Sequence, residues 1–193
     1  MKKEGLIFIA LLLIFGAFYR ILRLELLPAL PNFSPVMAIA FCGALFLPGR
    51  MVFAIALPAL FISDLLLNAH YGVALLNVSM LFTYACYGFA IWLGWMLRGK
   101  GLSWILGGTL LNAVVFYLVT NTLAWAGNVA YSQSVAGWVQ SLTVGLPGFP
   151  PTWTFFRNSL AGDLLFTALF LGVYALAKNR SASPNLSRQE ISL

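Results

Sequence analysis

Six long apolar runs, separated by shorter polar or proline-rich stretches, organise the chain. They cover about residues 5–21, 36–47, 51–69, 73–97, 102–126 and 155–177. Nearly continuous apolar segments are typical of transmembrane helices, which need about 20 apolar residues to cross a bilayer. A transmembrane β-barrel would instead show alternating apolar and polar positions. The pattern therefore predicts an all-α bundle of six transmembrane helices in a single domain, residues 1–177.

Prolines mark where some of these helices end or bend. Pro28, Pro31 and Pro35 exclude a continuous helix between the first two runs, because proline removes a backbone donor and restricts the residue before it. Pro58 lies inside the third run, where it frees the Ala54 carbonyl. We therefore expect the third helix to be kinked near this position.

The longest stretch outside the apolar runs covers residues 127–154. It has no acidic or basic side chain but many Ser, Trp, Gly and Pro residues, and we predict a short interfacial helix near residues 134–142. The chain ends in residues 178–193, which are mostly polar. Segments of this composition cannot bury enough apolar surface to fold, so we predict a disordered cytoplasmic tail.

The composition supports the membrane interpretation. Hydrophobic residues make up 61% of the chain and charged residues only 8%, against roughly 25% charged residues in soluble domains. So few charges cannot cover a water-exposed surface, so we expect an integral membrane protein surrounded by membrane lipid. The net charge of +6 does not indicate a nucleic-acid partner, because the basic residues are scattered near the ends of the apolar runs.

The distribution of basic residues predicts the topology, because cytoplasmic loops are enriched in Lys and Arg. With six crossings and a cytoplasmic amino terminus, eight basic residues lie inside and three outside. The inner ones are Lys2, Lys3, Arg50, Arg98, Lys100, Lys178, Arg180 and Arg188, and the outer ones are Arg20, Arg23 and Arg157. We therefore predict that both termini are cytoplasmic.

In this topology, polar side chains from four predicted helices lie in the outer half of the bundle. Asp64 and Asn68 are one helical turn apart at the end of the third run, and Asp163 lies about 9 Å deeper than Arg157 in the sixth run, at about 1.5 Å per residue. Ionisable groups within a span normally face the bundle interior or a watery cavity. We therefore predict a solute-binding site that is open to the outside and is formed by Asp64, Asn68, Asn77, Tyr84, Asn121, Arg157 and Asp163.

A purely structural interpretation of the same residues stays open. Asparagines within spans often form hydrogen bonds to neighbouring helices. Arg157 could anchor its helix at the interface, as long basic side chains do. Asp64 and Asp163 could each cap a helix or pair with an arginine.

Neither catalytic nor metal-binding motifs accompany these residues. The sequence has two cysteines, Cys42 and Cys86, both within apolar runs, and a single histidine, His70. The metalloprotease, serine-hydrolase and phosphate-binding-loop motifs are absent, and a zinc site would need grouped Cys or His ligands. We therefore expect no enzyme activity, no cofactor and no metal site.

The stretch "LPGRMVFAIALPALFISDLLL" resembles the substrate-capture subunits, or S components, of energy-coupling factor (ECF) transporters, with Gly49 at the turn and Asp64 as the acidic residue. The stretches "LPNFSPVMAIAFCGALF", "NAVVFYLVTNTLAW" and "FFRNSLAGDLLFTALFLGVYAL" resemble an uncharacterised, S-component-like bacterial membrane protein family. The resemblance implies capture of a vitamin or related metabolite for uptake. It also implies that the loops after the first and before the last helix cover the solute.

The resemblance further implies a partner, a transmembrane coupling subunit that carries ATPases. S components dock to it through small residues, often on their first helix, whereas this spacing occurs here on the second run, at Ala40, Gly43 and Ala44. An alternative function uses the same residues. In a membrane scaffold or accessory protein without a small ligand, the Ala40/Gly43/Ala44 face would bind a partner helix, and the polar residues would join helices of the bundle.

Overall fold

The structure is a computed structural model that describes residues 3–26 and 30–182. Within those ranges the chain forms seven helices and no strand, so the all-α prediction is confirmed there. The helices are α1 (Lys3–Leu26), α2 (Val36–Phe46), α3 (Gly49–His70), α4 (Val78–Met96), α5 (Leu102–Gly127), α6 (Val135–Leu142) and α7 (Thr152–Ala182). Four of them are long and apolar enough to cross a membrane: α3, α4, α5 and the Thr152–Asn179 part of α7.

Three helix ends differ by about five residues from the sequence-based boundaries, and the first is that of α1, which ends at Leu26 rather than near residue 21. Helix α4 begins at Val78 rather than near residue 73, because the Asn77 side chain accepts a hydrogen bond from the Met80 N–H and caps the helix there. Helix α7 continues to Ala182 and so includes the first residues of the predicted tail, while residues 183–193 lie outside the described part. The predicted interfacial helix is present as α6, with Ser134 as its cap.

Helix α3 contains an irregular turn close to Pro58. Residues Val52–Ala56 form a π-helical turn between two α-helical parts. Proline at position 58 cannot donate to the Ala54 carbonyl, and a single π turn is one way in which a helix accommodates such a break. The irregularity therefore lies where the sequence predicted a kink.

Helix α2 is the centre of the bundle. Eight consecutive residues, Met37–Ala44, are buried, and the helix contacts α1, α3, α4, α5 and α7. Burial on all sides is expected for a helix that is apolar all round. Its neighbours approach closely: a Cβ placed on Gly94 of α4 would lie 2.6 Å from the Phe41 carbonyl oxygen. Glycine at this position therefore allows α4 to pack directly against α2.

The burial of α2 corrects the predicted role of Ala40, Gly43 and Ala44. Ala40 and Ala44 are 0% exposed, and a Cβ on Gly43 would lie 3.3 Å from the Ala56 Cβ of α3. These small residues pack the chain's own helices together. A partner helix would have to displace α3 or α4 to reach them, so they do not form a docking face.

Charged side chains hold both ends of α2. The carboxylate of Asp163 in α7 accepts a hydrogen bond from the Ala38 N–H, 3.0 Å away, in the first turn of α2. At the opposite end, the Arg98 guanidinium donates to the Ala44 carbonyl at 2.6 Å and to the Leu47 carbonyl. An anion at the amino end and a cation at the carboxyl end both match the helix dipole. Side chains from other parts of the chain therefore hold both ends of this short helix.

Candidate functional site

Three adjoining cavities lie at the end of the bundle that carries α6, and Phe116 of α5 lines all of them. We call the three together the vestibule. The aromatic cavity, about 360 Å³, lies between α5, α7 and the segment that contains α6. The middle cavity, about 190 Å³, lies beside α1 and the residues before α2. The α3–α4 cavity, about 460 Å³, lies between those two helices. Volumes of about 300–1,000 Å³ are typical of small-molecule sites.

An ion pair lies between the middle cavity and the α3–α4 cavity. The Arg20 guanidinium is 2.7 Å from the Asp64 carboxylate, and it also donates to the Ser63 hydroxyl at 2.7 Å. The Arg20 side chain is only 12% exposed and that of Asp64 10%. Arg20 lines both cavities. Sequence reasoning treated Arg20 only as a topological marker, because nothing local indicates its pairing with a distant acidic residue.

Several buried polar atoms around this pair lack a hydrogen-bond partner among the described residues. They include Asp64 Oδ2, the Tyr84 hydroxyl and the Ser34 hydroxyl. The Tyr84 hydroxyl and the Asp64 carboxylate are close enough to interact with each other, whereas Ser34 lines the middle cavity. Buried polar groups are normally hydrogen-bonded, and leaving one unpaired costs about 1–3 kcal/mol. The Ser34 hydroxyl is therefore available to water or to a solute in the middle cavity.

Asp163 connects the vestibule to the central helix. It is 2% exposed, lines both the aromatic and the middle cavities, and caps α2 through the Ala38 N–H. A carboxylate has about four lone-pair positions. Capping α2 therefore leaves Asp163 with further capacity to accept hydrogen bonds.

The three predicted asparagines border the vestibule and also form hydrogen bonds within the fold. Asn68 and Asn77 line the α3–α4 cavity. Asn68 donates to the Leu75 carbonyl at 3.0 Å, and Asn77 caps α4. Asn121 lines the aromatic cavity and donates to the Tyr117 carbonyl at 2.8 Å. The positions of these asparagines agree with a solute-binding site, while their hydrogen bonds agree equally with a role in stabilising the fold.

Arg157 lies outside the vestibule. It is exposed on α7, hydrogen-bonds to Asn158 Oδ1 at 3.3 Å and lies 5.5 Å from the ring centroid of Trp153. It lines none of the three cavities. The structure therefore brings Asp64, Asn68, Asn77, Asn121 and Asp163 to the vestibule, places Tyr84 beside Asp64, and leaves Arg157 apart from them.

Two segments cover the vestibule. Residues 128–151, which include α6, contribute Tyr131, Leu146 and Phe149 to the aromatic cavity. The segment is attached to α5, because the Tyr117 hydroxyl donates to the Leu142 carbonyl. The residues before α2 are attached to α7, where Asn158 donates to the Pro31 carbonyl at 2.9 Å. These are the two regions expected to cover a solute, although residues 27–29 lie outside the described part.

A smaller polar cluster lies deeper between α2, α5 and α7. The Thr109 and Thr167 hydroxyls are 3.3 Å apart, and the Cys42 sulfur lies 3.8 Å from Thr167 Oγ1. Asn112, one turn below Phe116, is 0% exposed, and neither atom of its amide has a partner in the described part of the chain. No group of three or more His, Cys, Asp or Glu side chains that could hold a metal occurs among the described residues.

The fold and this site define the protein as an α-helical membrane bundle with a partly polar vestibule at one end. Residues 2–186 match the model of a family described as "Family of unknown function (DUF6580)", and the chain belongs to that family. No curated protein and no solved structure matches the chain.

Proposed function

We propose that the protein is a membrane-embedded, S-component-like subunit that binds a small solute, such as a vitamin or related metabolite, for uptake. The observation that carries this proposal is the vestibule: three adjoining cavities at one end of the bundle, lined by the polar side chains of Arg20, Asp64 and Asp163. Intramembrane polar groups are unfavourable and are usually functional where they line a cavity. The proposal requires binding only and involves no reaction.

In the proposed topology the chain crosses a bacterial cytoplasmic membrane six times, both termini are cytoplasmic and the vestibule opens outward. The excess of basic residues at the opposite end of the bundle supports this orientation. Helix α2 has 11 residues, or about 16 Å at 1.5 Å per residue, which is shorter than the hydrocarbon core. In this topology, the burial of α2 among the other helices would allow the irregular residues at its two ends to lie at membrane depth without exposing backbone polar groups to lipid.

Uptake would require a partner, and we propose a transmembrane coupling subunit with ATPases. Because the Ala40/Gly43/Ala44 face is buried, such a subunit would contact the lipid-facing surface of the outer helices. In the alternative function, a scaffold, a partner helix would bind the same buried face, while the contacts of Asp64 and Asp163 with other helices are compatible with the interhelical role that a scaffold gives them.

Ligand-dependent stabilisation tests the proposal. The full-length protein in detergent is screened by thermal unfolding against vitamins and related metabolites. A ligand at 100 times its Kd stabilises the folded state by about 2.7 kcal/mol, which is an easily measured rise in the melting temperature.

A matched pair of variants locates the site. Ser159 lines the aromatic and middle cavities, and Ala161 is exposed on the same helix. Ser159→Trp should abolish the ligand-induced shift because the indole fills the vestibule, whereas Ala161→Trp should retain it. Loss of the shift in both variants, or in neither, would contradict a vestibule site, and a panel without any stabilising ligand would count against solute capture.

A further inference from the structure

The aromatic cavity is lined by an unusual number of rings. Six of its lining residues are aromatic, and the rings of Tyr117 and Phe156 pack with centroids 4.9 Å apart. The six are Phe116, Tyr117, Tyr131, Phe149, Phe155 and Phe156. They come from α5, α7 and the covering segment, so a solute in this cavity would meet ring faces or edges on several sides.

The charge of the same cavity has one sign. Among the described residues, Asp163 is its only acidic lining residue, and neither lysine nor arginine lines it. The nearest described basic side chain of the vestibule, Arg20, lines the adjoining middle cavity and is already paired with Asp64. Arg157 lies outside and exposed. An anionic solute would therefore lose its hydration without gaining an unpaired cation from the described side chains, which is strongly unfavourable.

From these two observations we infer that the solute is a planar heteroaromatic molecule without negative charge, and that the aromatic cavity prefers a cationic ring to its neutral counterpart. Aromatic faces attract cations and stack on planar rings, and a cationic ring beside Asp163 would favour the ionised form of that side chain and pair with it. This inference rests on the proposed function and names the chemical class of its ligand.

Three small probes of similar shape test the charge preference. The full-length protein in nanodiscs of phosphatidylcholine is titrated with 1-methylquinolinium, quinoline and quinoline-2-carboxylate, and empty nanodiscs give the background from partitioning into lipid. Binding is followed by saturation-transfer NMR. We expect 1-methylquinolinium to bind with a Kd about tenfold lower than quinoline, which corresponds to about 1.4 kcal/mol, and quinoline-2-carboxylate not to bind.

Variants show whether the aromatic cavity is responsible. Phe149→Leu removes a cavity ring that is 72% exposed and should weaken binding of 1-methylquinolinium several-fold. Phe53→Leu, a 53% exposed ring outside the vestibule, should leave it unchanged. Asp163→Asn keeps a hydrogen-bond acceptor for α2 but cannot carry a negative charge. We therefore expect this variant to bind 1-methylquinolinium and quinoline with equal affinity. Should Asp163→Asn not fold, the probe series on the unmodified protein still decides the charge preference.

The outcomes separate this inference from the proposed function. The proposed ligand class is wrong if quinoline-2-carboxylate binds as tightly as 1-methylquinolinium. It is also wrong if an aliphatic metabolite stabilises the protein and loses this effect in Ser159→Trp. Either result is still compatible with solute capture. Equal effects of Phe149→Leu and Phe53→Leu overturn the assignment to the aromatic cavity. If no probe binds and no metabolite stabilises the protein, both proposals fall.

Discussion

Arg20 of α1 and Asp64 of α3 form an ion pair of 2.7 Å that joins two helices at the wall of the vestibule. Both side chains are largely buried, and the Ser63 hydroxyl, which accepts from the same guanidinium nitrogen, fixes the orientation of Arg20. Breaking one half of such a pair leaves an uncompensated buried charge, whereas replacing both halves by apolar side chains is often nearly neutral. The contribution of either residue to the stability of the fold therefore depends strongly on the presence of the other.

We expect Asp64→Leu to lower the free energy of unfolding by about 3–5 kcal/mol, because it leaves Arg20 buried and unpaired. The double variant Arg20→Met/Asp64→Leu should recover most of this loss. Unfolding by SDS in mixed micelles measures both. If the losses of the single variants simply add in the double variant, the two side chains are not coupled and the ion pair does not form.

The apolar elements were predictable from the sequence, whereas the pairing of polar side chains was not. The apolar runs and the Ser134 cap of α6 are local signals, and the corresponding helices are present. The Arg20–Asp64 pair and the Asp163 cap of α2 join residues far apart in the chain, and no periodicity in one sequence specifies them. The sequence therefore identified five polar residues at the vestibule without showing that Arg20 belongs with them.

Small-residue spacing shows the same limit. Ala40, Gly43 and Ala44 predict a close helix–helix contact, and the structure contains one, but the neighbours are α3 and α4 of the same chain. Spacing indicates that a neighbour approaches closely but not which helix it is. Arg157 was likewise assigned to the site by its depth along α7, while the direction of its side chain depends on Asn158 and Trp153.

The carboxyl end of α2 gives a second prediction. Arg98→Met removes the two hydrogen bonds to the Ala44 and Leu47 carbonyls, and bonds from a charged donor contribute about 1.5–3 kcal/mol each. Because water can reach this partly exposed site, we expect a total loss of about 1–3 kcal/mol in the free energy of unfolding. Arg50→Met, an exposed basic residue at the same end, is the control and should change stability little; equal losses would mean that only net charge matters.

The contact between α4 and α2 gives a third prediction. A Cβ on Gly94 would lie 2.6 Å from the Phe41 carbonyl oxygen and 2.7 Å from the Ala44 Cβ. Gly94→Ala should therefore destabilise the protein by about 1–3 kcal/mol, as overpacking of a close contact does. Gly88 lies on the same helix with no such atom within 4 Å, so Gly88→Ala should be neutral or stabilising by up to about 1 kcal/mol. The melting temperatures of the two variants are measured side by side. Equal melting temperatures would refute the close packing of α4 against α2.

Asn112 gives the last prediction, because its amide is fully buried and both of its polar atoms lack partners among the described residues. An apolar side chain of similar size removes this desolvation penalty, so Asn112→Leu should raise the free energy of unfolding by about 1–3 kcal/mol. Thr109→Val is the contrasting change one turn below: it removes a hydroxyl that is bonded to the Ile105 carbonyl at 3.0 Å and should lower stability by about 1 kcal/mol. SDS titrations without added solute measure both variants. If Asn112→Leu is instead destabilising, water or a solute that reaches below Phe116 must form hydrogen bonds with the Asn112 amide. In the case of a solute, adding it should stabilise the unmodified protein but not the variant.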